Sequence, residues 1–216
     1  MLRQIYGSTH ILARIELDTL LNYYFEVERN INANKDKFID ETKLQTYGLS
    51  EQDIKEFWDF HIDKYEELNK LFPNLLRRSI LINAYSILES CLCSTYKYIE
   101  ANYPELQNIR ISKKISTIEK IKEKMTQGLD FNFPQTEQWF NILKYKNIRN
   151  KVIHALGKVS KEDWAYRDVQ ELPNVTIDIY SKEIVIEKDF CFFVIKDISD
   201  FLRDFFEQLN NLALNR

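Results

Sequence analysis

Apolar residues recur every three or four positions along most of the chain, a spacing that predicts amphipathic helices. The first helix is predicted over residues 9–33, and a linker is predicted to follow it as far as Gly48. A second helix is predicted to begin at Ser50 and to run through Leu71, because Ser50 and Asp53 resemble a capping box. Helices are therefore expected to dominate the first third of the chain.

The strongest helical pattern lies between Pro73 and Pro104, where the apolar positions form one continuous face. This segment is predicted to be the central helix of the fold. A shorter amphipathic helix is predicted to follow, with Ser112 as its N-cap and Gly128 near its end.

A further helix is predicted to begin at Thr136 and to be stopped by Gly157. Two runs of β-branched residues then predict a β-hairpin over about residues 174–188. An isolated hairpin is only marginally stable, so this one is expected to pack against helices. The last predicted element is an aromatic-rich helix over residues 189–214.

These elements predict a mainly α protein with an N-terminal helical extension (residues 1–70) and a helical domain (residues 71–216) that contains the hairpin. Four glycines and four prolines are too few for the turns of a many-stranded β protein. No apolar run approaches the roughly 20 residues needed to span a bilayer, and no signal peptide is recognised. Three cysteines without a CxxC pair are expected to be reduced thiols of a cytoplasmic protein.

Charge is unevenly distributed along the chain. The net charge of −3 argues against a protein that coats nucleic acid by bulk electrostatics. Residues 35–67 hold ten acids against five lysines, which could shield a cleft, recruit a basic partner or only aid solubility. Residues 138–160 hold no acid and five basic residues. This basic stretch is either a functional surface or a solvated helix face whose acids lie elsewhere in the sequence.

Several enzyme classes lack their motifs here. The sequence has no GxxxxGK[ST], no GxGxxG after a strand, no GxSxG and no HExxH, which removes nucleotide kinases, dehydrogenases, serine hydrolases and zincins as leading hypotheses. The three histidines, His10, His61 and His154, are far apart in sequence. We therefore expect no metal site and no cofactor.

The segment from Asn147 to His154 combines a guanidinium, amides and an imidazole in a stretch without acids, a set that suits a phosphodiester. At 100° per residue, its polar side chains form one stripe on the helix. The members of that stripe are Asn147, Asn150, Lys151, His154 and Lys158. Arg149 lies about 140° around the helix from His154, so it needs its length or a helix distortion to reach the same site.

Arg149-Asn150-x-x-x-His154 resembles the R-x(4–6)-H motif of ribonucleases in the HEPN (higher eukaryotes and prokaryotes nucleotide-binding) superfamily, in which a polar residue commonly follows the arginine. Arg3 and His10 match the bare spacing too, but without that polar residue or a basic flank. The stretch 77–89 also resembles the first core helix of the family, whose signature often ends in an acidic residue such as Glu89. The resemblance covers residues 72–158 and the last helix, and it excludes residues 1–70 and the hairpin.

This resemblance implies a HEPN-like helical bundle that forms a homodimer, with the motif helices meeting in a shared cleft. It implies metal-independent RNA cleavage by 2′-hydroxyl attack to give 2′,3′-cyclic phosphate ends, in a toxin or phage-defence effector. Arg149 would stabilise the phosphoryl group, His154 would act as acid or base, Asn150 would orient the site and Glu89 would position the motif. The lysines expected to bind RNA are Lys144, Lys146, Lys151 and Lys158.

An antitoxin or another regulatory protein is a further partner that the resemblance implies. Some relatives carry a tyrosine shortly after the motif histidine, which such a partner modifies, but Ala155-Leu156-Gly157-Lys158 follows His154 here. The sequence therefore does not predict that mode of control for this chain.

Two other classes of function stay open. The chain could be a catalytically inactive HEPN-like module that binds nucleotide, RNA or a protein, or a monomeric helical scaffold with an accidental motif. At the level of residues, Arg149 could be an ion-pairing arginine and His154 a hydrogen-bonded helix histidine. Asn150 could be a surface amide, and Glu89 could bridge to a neighbouring arginine or lysine. The aromatic residues of 192–205 are expected to form core rather than a platform for bases.

Overall fold

The computed structural model describes the backbone of residues 2–214 and the side chains of residues 8–212. The predicted mainly α class is confirmed, because long helices and one small hairpin make up this range. The α-helices are α1 (Leu2–Thr46), α2 (Glu51–Glu66), α3 (Phe72–Asn102), α4 (Thr117–Leu129), α5 (Glu137–Ala155), α6 (Trp164–Glu171) and α7 (Lys188–Leu214). The strands are β1 (Val175–Ile177) and β2 (Ile184–Ile186). A π-helical turn at Glu67–Leu71 joins α2 to α3, and a 3-10 turn at Pro104–Asn108 follows α3.

Two predicted helix ends are wrong. Helix α1 does not stop at residue 33 but continues to Thr46. The weak helix propensity of the asparagines near residue 32 costs only a fraction of a kcal/mol each, and packing of α1 against α2 and the π-helical turn at Glu67–Leu71 offsets it. Helix α4 begins after Ser116 rather than after Ser112, because Ser116 and Glu119 form a reciprocal capping box. The predicted N-cap at Ser50 is confirmed by its bond from the Asp53 N–H.

Helix α3 lies at the centre of the fold and packs against α1, α4, α5 and α7. A cluster of edge-to-face and tilted aromatic rings joins α5 to α7 beside it. Phe205 belongs to this buried cluster, whereas Phe192 is 37% exposed. Leu17 and Tyr24 of α1 are fully buried in the same core, so the first half of the predicted N-terminal extension is part of the main packing. Helix α2 has no buried residue.

The predicted hairpin is confirmed, with strands shorter than the β-branched runs. Val175 pairs with Ile186 and Ile177 with Ile184 in antiparallel register. The strand pairing stops because the Asp178 carboxylate accepts hydrogen bonds from the two N–H groups at positions 180 and 181 and so forms a turn.

Two consecutive arginines of α3 connect the hairpin to the helices. Arg77 donates to both carboxylate oxygens of Glu28 on α1, at 2.6 and 3.2 Å, and to the carbonyl of Ile186 at 3.1 Å. Arg78 donates to the carbonyl of Leu156, at the end of α5, at 3.1 Å and to the carbonyl of Ile184 at 3.0 Å. The arginine pair therefore holds α1, α5 and β2 in fixed positions around α3.

In the described part of the chain, none of the helices is long and apolar enough to cross a membrane. Cys91, Cys93 and Cys191 are free thiols, and Cys91 and Cys191 are buried.

Gly157→Ala should destabilise the protein more than Gly48→Ala. Both glycines have left-handed backbones, with φ of 85° and 77°, so each substitution costs about 1 kcal/mol of strain. A Cβ on Gly157 would also lie 2.8 Å from Nη2 of Arg78, whereas a Cβ on Gly48 would meet nothing within 4 Å. Moving Arg78 would break its bonds to two carbonyls, so we expect a further loss of at least about 1 kcal/mol. Urea unfolding measures both values, and equal losses would contradict this account.

Candidate active site at the end of helix α5

Helix α5 carries the motif, and its buried face fixes the direction of every polar side chain on it. Trp139, Ile142, Tyr145, Ile148 and Val152 are buried at helical spacing. The Tyr145 hydroxyl donates to the Asp197 carboxylate of α7 at 2.6 Å, which adds a polar anchor. The helix ends where Leu156 and then Gly157 adopt left-handed backbones. Gly157 thus lies at the C′ position, directly after the C-cap Leu156, as the sequence predicts.

Arg149 is half-buried and faces α3. Its Cζ lies 5.6 Å from the centroid of the Tyr85 ring, a cation–π contact. Its Nη1 donates to Oδ1 of Asn150 at 3.2 Å. Among the described residues no carboxylate forms an ion pair with Arg149, and its buried Nε has no hydrogen-bond partner. The charge of the guanidinium is therefore not neutralised by a carboxylate in the described residues and could attract an anion.

Tyr85 connects Arg149 to Glu89. Burial raises the pKa of the Tyr85 hydroxyl, and the Glu89 carboxylate, four residues further along α3, raises it again, whereas Arg149 lowers it. Glu89 does not take part in the arginine contacts of α3, because Arg77 binds Glu28 and Arg78 pairs with Glu183 at 3.3 Å. Because Glu89 lies one helical turn after Tyr85, it is on the same face of α3 as the ring that contacts Arg149.

His154 is exposed and lies in an open groove of about 460 Å³ between α5 and α6. Asn147, Asn150 and Lys151 line the same groove, together with Trp164 at the start of α6. Asn150 therefore contacts Arg149 and also lines the groove of His154. Four members of the predicted polar stripe share one surface, and Arg149 points away from it towards α3.

Three of the four lysines predicted to bind RNA form ion pairs within the chain. Lys144 pairs with Glu171 at 2.8 Å, Lys146 with Glu119 at 2.8 Å and Lys151 with Asp163 at 2.6 Å. The acids of this basic stretch thus come from α4, α6 and the residue that precedes α6. Lys158 is exposed and forms no ion pair in the part of the chain that the structure describes.

Burial and hydrogen bonds shift the pKa values of the acids near the motif. Burial alone would raise the pKa of Glu119, but hydrogen bonds from Lys146 and Ser116 outweigh it and lower the pKa. The bond from Lys151 lowers the pKa of Asp163. Burial raises the pKa of Asp168, although Nδ2 of Asn147 donates to it at 2.8 Å. Glu119 and Asp163 are therefore the ionised partners of their lysines at neutral pH.

Sequence reasoning missed Tyr85, Trp164 and Arg167. Helix α6, which carries Trp164 and Arg167, has only eight residues and was not predicted. The guanidinium of Arg167 lies 5.2 Å from the Trp164 ring centroid. A signal for Tyr85 was present, since it lies one helical turn before Glu89 on the predicted central helix.

The second Arg-x(6)-His match does not form a comparable site in the described residues. His10 stacks on Phe206 at 4.6 Å between α1 and α7, and burial lowers its pKa. The side chain of Arg3 lies outside the described residues. The structure also contains no cluster of three or more His, Cys, Asp or Glu residues that could hold a metal among the residues it describes.

No protein-family model, no curated protein and no solved structure matches this chain. Membership of the HEPN superfamily, and the roles that the resemblance implies, therefore stay predictions.

Replacing the Tyr85 ring should remove the cation–π contact that helps to position Arg149. In a double-mutant cycle of Tyr85→Leu and Arg149→Met, we expect a coupling free energy of about 1 kcal/mol, because a partly desolvated cation–π pair is lost in either variant. Tyr85→Phe keeps the ring and should keep the coupling with Arg149. Thermal or urea unfolding of the variants measures this, and a coupling near zero for Tyr85→Leu would show that the ring only fills space.

Proposed function

We propose that this protein is a metal-independent endoribonuclease of the HEPN type. One observation carries the proposal: Arg149, half-buried and without an acidic partner in the described residues, is hydrogen-bonded to Asn150, which lines the same groove as the exposed His154. A guanidinium can neutralise a phosphate, and an exposed imidazole can exchange protons with a substrate. The proposal also draws on the resemblance of the motif.

The reaction assigns a role to each group. The 2′-hydroxyl of a ribose attacks the adjacent phosphorus and passes its proton to a base, while the 5′-oxygen leaves and receives a proton from an acid. Arg149 would stabilise the charge on the pentavalent phosphate, and Asn150 would orient the phosphate or the arginine. Glu89 would act through Tyr85, as a positioning residue for Arg149. One His154 per chain cannot be base and acid at once in this step.

A homodimer would supply the second histidine. Ile153, on the last turn of α5, and Leu156, directly after that helix, lie on either side of His154 in sequence and are 39% and 72% exposed. Leu156 also has a φ of 52°, a left-handed conformation that is unfavourable for leucine, where glycine or asparagine is usual. An exposed leucine in a strained position supports a role for its side chain in contact with a second copy.

In this role the protein would act as a toxin or phage-defence effector in the cytoplasm, under control of an antitoxin or other regulatory protein. The region that supports a regulatory contact is α2, which has no buried residue and lies in the acidic stretch 35–67.

A second candidate function is a HEPN-like module that binds nucleotide, RNA or a protein without catalysis. The ion pairs of Lys144, Lys146 and Lys151 favour it, because they remove three positive charges that an RNA substrate would otherwise meet. Activity measurements separate the two candidates.

Purified protein should cleave tRNA or total cellular RNA in the presence of EDTA and leave 2′,3′-cyclic phosphate and 5′-hydroxyl ends. Arg149→Ala and His154→Ala should each lower the rate by about 100-fold or more, since each removes a group that acts in the transition state. Product ends can be identified by enzymatic end-labelling.

His61→Ala is the matched control, because His61 lies on α2, outside the groove, and its ring contacts residues of its own helix, bonding to the carbonyl of Phe57 through Nδ1 and stacking on the Phe57 ring. It should cleave like the wild type. An inert wild type, or motif variants that cleave equally well, would contradict catalysis and leave the binding module as the working model.

Leu156→Asn should separate folding from dimerisation. Asparagine tolerates the left-handed backbone better than leucine, so the free energy of unfolding of the monomer should stay equal or rise by about 0.5 kcal/mol. Loss of a buried leucine at the contact between copies should weaken the dimer at least about 10-fold. Analytical ultracentrifugation measures the dimer, and Leu44→Asn, at an exposed leucine near the end of α1, serves as the control. A monomeric wild type, or unchanged dimerisation of Leu156→Asn, would refute this assignment.

A further inference from the structure

The groove of His154 contains a large aromatic side chain that is mostly exposed and contributes little to the core. Trp164 is 71% exposed at the first position of α6, and it lines the groove together with His154, Asn150 and Lys151. The indole is therefore not there to fill the core. Its open surface lies beside the imidazole in the same groove.

The helix that carries Trp164 is held to α5 by three polar contacts. Lys151 pairs with Asp163, the residue directly before Trp164, at 2.6 Å. Nδ2 of Asn147 donates to Asp168 at 2.8 Å. The third contact is an ion pair at 2.8 Å between Lys144 and Glu171, the last residue of α6.

These contacts span the whole length of α6, which has eight residues. A side chain at its first position is therefore presented from a fixed backbone. Preorganisation of this kind lowers the entropy cost of stacking a ligand on the indole. Asn147 and Lys151, two residues of the predicted polar stripe, thus act together with Lys144 by fixing the helix of Trp164.

The surroundings of the indole favour a nucleic-acid base over another apolar surface. The groove is lined by amides, an imidazole and the Lys151–Asp163 ion pair, and the amides and the imidazole suit a sugar and phosphate next to a stacked ring. The guanidinium of Arg167 lies 5.2 Å from the indole centroid and forms no ion pair among the described residues, so a positive charge remains beside the ring.

We propose that Trp164 is a stacking platform for an unpaired base of single-stranded RNA, next to the phosphate that His154 serves. The inference rests on the proposed ribonuclease function and makes it more specific, because a base that is paired in a duplex cannot stack on a side chain. The substrate class is therefore single-stranded RNA or a loop. Trp164 acts as a binding and specificity residue and takes no part in the chemistry.

Binding can be tested without turnover in the His154→Ala background. The probe is a short, unstructured, fluorescently labelled RNA of mixed sequence, compared with the same RNA in a duplex. Trp164→Ala should weaken binding of the single strand by about 10-fold, and Trp164→Phe should keep most of it, since a phenyl ring can still stack. The duplex should bind weakly whatever the residue at position 164.

Phe60→Ala is the matched control, since Phe60 is an exposed aromatic residue of α2, a helix without buried residues. It should bind the RNA like its parent. In the protein with an intact motif, Trp164→Ala should lower kcat/KM for a single-stranded substrate by a similar factor, mainly by raising KM.

The outcomes distinguish this inference from the proposed function. If the wild type cleaves no RNA but Trp164→Ala still weakens binding, the ribonuclease function fails and the stacking platform stands. If the wild type cleaves RNA and Trp164→Ala neither weakens binding nor raises KM, the platform fails and the function stands. Equal affinity for single strand and duplex would overturn the platform. The same holds if Trp164→Ala is monomeric where the wild type is dimeric, since the indole would then serve contact between copies.

Discussion

The buried contact between Arg77 of α3 and Glu28 of α1 is the constraint on which the arrangement of the helices depends. Their side chains are only 15% and 3% exposed, so both charges have lost most of their hydration. Such a pair is tolerated only where its remaining hydrogen-bonding groups are satisfied. The Tyr24 hydroxyl donates to Glu28 at 3.2 Å, and Arg77 donates to the carbonyl of Ile186. These contacts fix α1 and β2 on α3. The next residue, Arg78, donates to the carbonyl of Leu156 and so fixes the end of α5 on the same helix. The hairpin, which lies outside the family resemblance, thereby supports the candidate site.

The lysines of α5 show why charge along a sequence is an incomplete guide to function. A stretch of 23 residues without an acid predicts a positive surface, yet the acids that neutralise it lie 12 to 27 positions away in sequence. At ion-pair distances each lysine is committed to a single carboxylate, and its field beyond the pair is reduced. Arg149, Lys158 and Arg167 are among the positive charges near the groove that form no ion pair in the described residues. The positive surface is therefore smaller than the sequence suggests, and part of it comes from α6.

Much of the fold could be predicted because helical periodicity and capping are local. The N-cap at Ser50, the helix that begins after Thr136 and the hairpin all follow from residues within a few positions of each other. The errors arise where tertiary contacts decide, as in the continuation of α1 to Thr46 and in the short helix α6, whose stability depends on contacts with α5. In the candidate site, the 100° periodicity of a helix was enough to predict that Asn147, Asn150, Lys151 and His154 share one surface. The Tyr85 ring against Arg149 was not, because the two residues lie 64 positions apart.

The geometry of α5 also explains why one chain is an incomplete catalyst in the proposed reaction. Five positions separate Arg149 from His154, and the helix turns them onto different faces, one towards Tyr85 and the other towards the groove with Trp164. Asn150 lies between them and is the one motif residue that touches both surroundings. An attack by the 2′-hydroxyl needs a base and an acid on opposite sides of the phosphorus, and a two-fold axis near the last turn of α5 would place a second His154 there. In the proposed dimer, the exposed Leu156, with its left-handed backbone, would lie close to that axis.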